Sequence, residues 1–410
     1  MSSDRRQDLV VVLDAPELGE RRPVGVITRW PGPILSIGFQ YARSWLADAR
    51  RRFAIDPALP LTDALQTIPG RRLPGIFADT APDTWGEALM VRRAGRSLDS
   101  WEFLVGVADE TRMGALRLRH GVDGPFVADR EPAIPPYLRL RTLQEMVRRF
   151  EDDPRSMTDE QVALLVGPGS SLGGVRPKAN YRGPDGSLWI AKFPSRTDRR
   201  DVGAWEHVYA ELARAAGIQV ADTELLTLAG PARTFVTRRF DRTADGRRLY
   251  ASTLTLSGRT DTEGADYIDI AQAITNELAP AYVREDLAQL YRRMAFNVLA
   301  GNRDDHLRNH GFLRHASGWR LAPAFDLNPA REMREHATAV NGRTISPTAV
   351  DVLDVRSFFG LSERQARAII DQVAGALEGW RALAAAVGID RGQQDEVGVA
   401  LSALETVAAL

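Results

Sequence analysis

No cysteine occurs among the 410 residues, which excludes disulfides, thiolate metal sites, iron–sulfur clusters and a cysteine nucleophile. Histidine is scarce, six in all, and no HExxH pair is present, so little remains for a zinc enzyme. Long apolar runs are missing too. The N-terminal stretch from Leu9 to Leu13 ends at Asp14, too short for a signal peptide and readable as a strand. Nothing approaches the roughly eighteen uncharged apolar residues of a transmembrane helix. Charge of either sign is not in excess: 53 Lys and Arg stand against 54 Asp and Glu, a net of −1. These absences predict a soluble, cytoplasmic protein with no membrane contact, which would touch DNA only through a local basic patch or a partner.

What is present is an ordinary globular mixture, 44% apolar and 26% charged. Residues 8–120 read as short strands and turns with some helix: LVVVLD, VGVITR and ILSIGFQY are strand-like, and Asp83-Thr84 can cap a helix. A Pro/Gly-rich stretch at 121–140 suggests a boundary, followed by helices at about 142–152 and 159–166, the second capped by Thr158-Asp159. From 167 the chain reads as a glycine/serine loop, two strands, a helix over 200–216 ended by Gly217, and two more strands, TELLTLA and ARTFVTRRF. Beyond about 265 it is mostly helical. The layout predicts a small N-terminal α+β unit (1–125), a β-rich lobe (140–240) and a helical C-terminal lobe (241–410).

The densest chemistry lies in Asn302-Arg303-Asp304-Asp305-His306-Leu307-Arg308-Asn309. Asp304 and Asn309 are five apart, the spacing of base and metal ligand in a kinase catalytic loop, and Asp326 follows in Pro323-Ala324-Phe325-Asp326-Leu327. Phosphoryl transfer asks little covalent work of a protein. One carboxylate orients the attacking hydroxyl, while an Asn and a second Asp supply the hard oxygens that magnesium takes. Upstream, Leu188 to Phe193 alternates apolar residues around Lys192, a strand lysine suited to phosphate, and the next helix offers Glu206 or Glu211 as its carboxylate. The glycine-rich stretch from Gly167 to Lys178 precedes that strand. Its glycines can turn backbone N–H groups toward phosphate, and Arg176 and Lys178 add charge.

In order along the chain, GSSLGGVRPKA, IAKFP, the WE of the next helix, FVTRRFDR, NRDDHLRNHGFL and PAFDL resemble the HipA toxin-kinase family of bacterial toxin–antitoxin systems. VGVIT, FQYARSWL and LPGIFADTAPDTWG resemble that family's N-terminal subdomain, so the resemblance spans roughly residues 8–390. It implies an α+β, two-lobed, protein-kinase-like fold and an ATP- and magnesium-dependent serine/threonine-protein kinase. Asp304 would be the catalytic base, Asn309 and Asp326 the magnesium ligands, and Lys192 the phosphate-binding lysine, with Glu206 the better match for the helix glutamate. Gly173, Gly174, Arg176 and Lys178 would cradle the nucleotide, with Arg238, Phe240 and His306 as further contacts. Arg238 stands where family members often carry Glu, and Asp305 where glycine is frequent. Ser171 aligns with the self-phosphorylated serine, Ser170 being the alternative acceptor. The implied partners are a small helix-turn-helix antitoxin (HipB-like), DNA only through it, and a protein substrate, in related proteins an aminoacyl-tRNA synthetase.

The remaining conspicuous residues have plainer readings. Trp30, Trp45, Trp85 and Trp101 are expected in the N-terminal core and rim, and Arg50-Arg51-Arg52 at the solvated end of a helix. His306 is expected to brace the loop by hydrogen bonding, while His310, His315 and His336 read as surface or loop residues. Two other functions stay open: an antitoxin-binding co-repressor with little kinase activity, and a kinase of a small molecule.

Overall fold

The computed structural model describes residues 5–30, 32, 36–67, 73–129, 134–169, 176–330, 332–342 and 344–410. The chain divides into two compact units, neither continuous in sequence. The first comprises Met1–Arg196, Arg239–Ala251 and Leu313–Ala316; the second comprises Thr197–Arg238, Ser252–Phe312 and Ser317–Leu410. The stretch at 121–140 lies within the first unit, and the chain passes between units at Arg196/Thr197, Arg238/Arg239, Ala251/Ser252, Phe312/Leu313 and Ala316/Ser317.

The first unit opens with strands β1 (Gln7–Leu13), β2 (Arg22–Trp30) and β3 (Ser36–Tyr41), which join β4 (Leu116–Arg119) in an antiparallel sheet of order β3-β2-β1-β4. Alternation along β1 buries Leu9, Val11 and Leu13, and a register shift between Val11 and Val12 buries Val12 as well. Short helices α1 (Arg43–Ala47), α2 (Gly75–Ala78), α3 (Thr84–Ala94) and α4 (Ser100–Gly106) follow β3. Trp45, Trp85 and Trp101 are buried core residues and Trp30 is half-buried, as the plainer reading expected; Arg50, Arg51 and Arg52 are exposed. Helices α5 (Leu140–Asp152) and α6 (Asp159–Gly169) lead to the hairpin β5 (Lys178–Arg182) and β6 (Leu188–Lys192).

A buried charged cluster ties this unit together. Arg239 reaches Asp241, the backbone oxygen of Thr111 (2.6 Å) and Asn180 Oδ1 (2.7 Å). Asp241 also accepts from Gly114 N at 2.7 Å and from Arg242. Burial works to raise the pKa of Asp241, but the guanidinium groups of Arg239 and Arg242 overcome it and hold the carboxyl well below its usual range.

The second unit contains α7 (Val202–Ala215), ended by Gly217 at φ +78°, and the hairpin β7 (Thr223–Leu226) and β8 (Thr234–Arg238). Strand β9 (Leu249–Ser252), of the first unit up to Ala251, precedes α8 (Thr253–Leu256), α9 (Tyr267–Glu277) and the 21-residue α10 (Pro280–Ala300) of the second. Strand β10 (Gly311–His315), of the first unit from Leu313 on, comes next, then β11 (Gly318–Leu321), α11 (Ala349–Asp354), α12 (Glu363–Glu378), α13 (Trp380–Ala386) and α14 (Arg391–Gly398) of the second. Helix α10 starts on Pro280, whose missing N–H costs nothing in the first turn. It packs its buried face, Leu287, Leu290, Tyr291, Met294 and Val298 among it, against α9 and α12. Among the described residues no helix is long and apolar enough to cross a membrane.

Candidate functional site

The loop 301–310 hangs from the end of α10 and is built around one buried carboxylate. Gly301 ends the helix at φ +69°, and a Cβ there would stand 2.3 Å from the backbone oxygen of Ala400, so glycine is required twice over. Tyr209 of α7 donates its hydroxyl to Ala300 O at 2.6 Å, fixing the same end. Asn302 bonds back to Asn297 through backbone (2.9 Å) and side chain (3.0 Å), and Asn297 donates to Tyr267 OH at 3.0 Å. The Tyr267 hydroxyl in turn donates to Asp305, whose carboxylate also meets His310 Nε2 at 2.8 Å. Thr338 donates to the backbone oxygen of Asp305, and Ala337 N to that of Arg303 at 2.8 Å.

Asp305 is 3% exposed. Burial pushes its pKa upward, yet His310 and the Tyr267 hydrogen bond outweigh that and hold it below its ordinary value. With Asp305 turned inward, its neighbour Asp304 is exposed. Partial desolvation raises the Asp304 pKa; the charges of Asp326 and Asp305 add to the rise and His306 opposes it. Asn309, nearly buried, donates Nδ2 to the Asp304 backbone oxygen at 2.9 Å, which orients its amide. Asp326 lies at φ +60°, in the left-handed region, which aspartate tolerates better than most residues but which still costs energy. A parallel bridge between Val220 and Ala324, closed by Ala324 N to Gln219 O at 2.7 Å, sets the approach to it.

The donor chemistry suits magnesium: Asn309 and Asp326 offer hard oxygens. Among the described residues no group of three or more His, Asp or Glu forms an all-protein cage. Magnesium does not ask for one, since it commonly binds one or two protein oxygens together with substrate phosphate.

Lys192 ends β6 in the first unit and is half-buried, and Glu206, 3% exposed, lies in α7 of the second. Arg176 donates to Phe193 O at 3.3 Å, and Phe240 packs its ring 6.0 Å from that of Tyr250. Arg238 is exposed, 3.6 Å from Asp222. Ser170, Ser171, Gly173 and Gly174 lie outside the described residues.

Three expectations need correction. Lys178 is not a charge displayed on a loop: it is 3% exposed and its Nζ sits 2.8 Å from Asp83 Oδ2. His310 and His336 are buried rather than superficial, the first because it is the ring partner of Asp305. Asp305 and His310 brace the loop through their side chains, and His306 does so through its backbone, its N donating to Asp304 O at 3.1 Å and its O accepting from Asn309 N at 2.8 Å, while its Nδ1 is buried without a hydrogen-bond partner among the described residues. The long-range members of this network, Tyr267, Asn297 and Thr338, carry no local motif that could have pointed to them; Asp83 was visible only as a helix cap.

Residues 18–119 match the family described as the HipA N-terminal domain, and residues 170–380 match the HipA-like C-terminal domain. The putative kinase Y4dM of Sinorhizobium fredii is 25% identical over 273 residues, 58% of this chain and 65% of that protein's length. Among solved structures, HipA from a toxin–antitoxin complex of Shewanella oneidensis MR-1 with HipB and operator DNA aligns at 18% identity, with a TM-score of 0.68, over 98% of this chain and 96% of that one. The Helicobacter pylori proinflammatory kinase CtkA aligns at 16% identity and a TM-score of 0.42 over 58% and 89% of the two chains, too loosely to carry an argument. The Shewanella likeness carries the fold, so the expectation of an α+β, kinase-like architecture holds. On both matched domains, in the expected order, the chain belongs to the HipA toxin-kinase family.

Proposed function

We propose that the chain is an ATP- and magnesium-dependent serine/threonine-protein kinase, the toxin of a toxin–antitoxin pair. One observation carries this reading: Asp304 is held exposed by a loop anchored beneath it on Asp305, within electrostatic reach of Asp326 and bonded to Asn309. A raised pKa brings Asp304 nearer to working pH, where a carboxylate is a more effective base. The substrate hydroxyl gives its proton to the Asp304 carboxylate as its oxygen forms a bond to the γ-phosphorus. The bond between that phosphorus and the β,γ-bridging oxygen breaks, and ADP leaves with the electron pair. Asn309 and Asp326 would hold magnesium, which when bound offsets charge on the phosphates. Lys192 and Glu206 take the phosphate-binding and helix-carboxylate roles that the family motifs give them.

The acceptor is a hydroxyl on a protein, and on the chain itself Ser171, with Ser170 as alternative. The Shewanella relative was solved with HipB and operator DNA. That complex supports a small helix-turn-helix antitoxin as partner here, and a net charge of −1 supports DNA contact through that partner. The test is phosphate transfer from radiolabelled ATP by the purified chain, with phosphopeptide mass spectrometry. Transfer should require a divalent cation, vanish in Asp326→Ala, and fall in kcat far more than in ATP affinity in Asp304→Ala. Full activity in either variant refutes the assignment.

A further inference from the structure

Asp326 keeps a strained backbone, and the chain on either side of it is fastened to one helix. Its φ of +60° is a conformation that persists only where the surroundings over-determine it. Two residues upstream, Ala324 N donates to Gln219 O at 2.7 Å, just beyond the C-terminal end of α7. Three residues downstream, Pro329 O accepts from Arg200 Nη2 at 2.7 Å, and Arg200 lies just ahead of the first turn of α7. The same guanidinium meets Glu332 Oε1 at 2.8 Å, but the Glu332 side chain is 70% exposed whereas that of Arg200 is 13% exposed. A solvent-facing ion pair contributes little; a charged donor on a carbonyl contributes more. Next to Pro329, Ala330 N donates to Gly301 O at 3.2 Å, where the loop bearing Asp304 and Asn309 begins. Tyr209 holds the neighbouring Ala300 O from the middle of α7. All these residues belong to the second unit. The upstream tie is backbone to backbone; the downstream tie is made by a side chain, and substitution can remove it.

We propose that Arg200 is a positioning residue for the magnesium ligand Asp326: by gripping Pro329 O it pins the downstream flank of the strained residue to α7. One helix then sets both the Asp326 carboxylate and, through Ala300 and Gly301, the loop that carries Asp304 and Asn309. Arg200 touches neither metal nor nucleotide in this role; it acts through the backbone it holds.

The effect on metal rests on the kinase reading; the clamp itself does not, and the experiment separates them. In the full-length chain, Arg200→Ala should raise the half-saturating Mg2+ concentration about tenfold, the scale usual when a group that orients a metal ligand is removed. KM for ATP at saturating Mg2+ should stay within about twofold of wild type. Mn2+ affinity in the presence of ADP, read by electron paramagnetic resonance, should shift by the same factor without turnover. Arg200→Lys keeps a charged donor without the planar fork and should fall between the two. Glu332→Gln spares the grip on Pro329 O and should stay within about twofold of wild type. Hydrogen exchange of the Ala330 amide, measured without nucleotide or metal, is the independent readout. Its protection should drop about tenfold in Arg200→Ala, while the amides of α10 and α12 keep theirs and so report an intact fold. Unchanged exchange at Ala330 overturns the proposal whether or not the chain transfers phosphate. Faster exchange with the metal affinity of wild type overturns it too, as does a Glu332→Gln protein as impaired as Arg200→Ala. Faster exchange in a chain that neither binds metal and nucleotide nor transfers phosphate upholds the clamp and refutes the kinase reading alone.

Discussion

Replacing Asp305 by alanine should cost the second unit far more than the small volume change suggests. The carboxylate is the acceptor for the Tyr267 hydroxyl and the ring partner of His310, 2.8 Å away, and both partners are buried. In Asp305→Ala, Tyr267 keeps the amide that Asn297 donates to it but loses its acceptor. His310 loses the one hydrogen-bond partner its ring has among the described residues, since Nδ1 is already buried without one. Each orphaned buried group costs about 1–3 kcal/mol. Relief of the desolvation of Asp305 offsets a part, and the net should fall at about 3–5 kcal/mol, the range for breaking one side of a buried pair. Asp305→Asn retains an acceptor for Tyr267 and should cost about half as much. Urea unfolding followed by tryptophan fluorescence measures all three proteins. A double-mutant cycle with Tyr267→Phe should show strong non-additivity, because the two changes remove one shared bond. An Asp305→Ala protein within about 1 kcal/mol of wild type would refute the claim that this carboxylate anchors the loop.

Two further outcomes follow from the same unit. Burial, reinforced by Arg303 and opposed by Asp305, pulls the His336 pKa from 6.5 down to about 4. The folded state therefore holds His336 neutral while the unfolded chain binds a proton, so stability is full above about pH 6.5 and declines as pH falls toward 4, by about 3 kcal/mol in all. Urea midpoints at pH 7 and pH 5 should diverge in wild type and converge in His336→Gln; equal divergence in both rules out His336 as the cause. Gly301→Ala places a methyl 2.3 Å from Ala400 O at a positive φ and should destabilise by about 2 kcal/mol or more, read as a lower thermal midpoint. An unchanged midpoint would mean that the C-terminal 3₁₀ segment Val399–Ala409 yields freely.

Local chemistry was legible in the sequence and long-range pairing was not. Asp83 caps α3, Thr158 caps α6 and Gly217 ends α7 because caps are decided within four residues. The strands read from alternation are strands, and the spacing of Asp304 and Asn309 does place them on one loop. His310 was misread because a polar residue in a loop looks exposed until its partner is known, and that partner's other ligand, Tyr267, lies 38 residues away. Lys178 was misread for the same reason, its carboxylate standing almost a hundred positions earlier in a different element. The boundary expected at 121–140 marks a change in composition, yet residues on both sides, Thr111 and Asn180, bond the same arginine, Arg239.

That arginine also sets a timetable for synthesis. Thr111, Gly114 and Asn180 leave the ribosome well before Arg239 and Asp241, and at about 5–20 residues per second the interval between Asn180 and Asp241 is on the order of several seconds. During it, the contacts that Arg239 and Asp241 will supply are still missing, so the first unit reaches its final packing only after its first 196 residues have been joined by Arg239–Ala251. Its last piece, Leu313–Ala316, arrives after 316 of 410 residues have been made. Completion of the first unit is therefore a late event in translation, coming after residues that belong to the second unit have already been made.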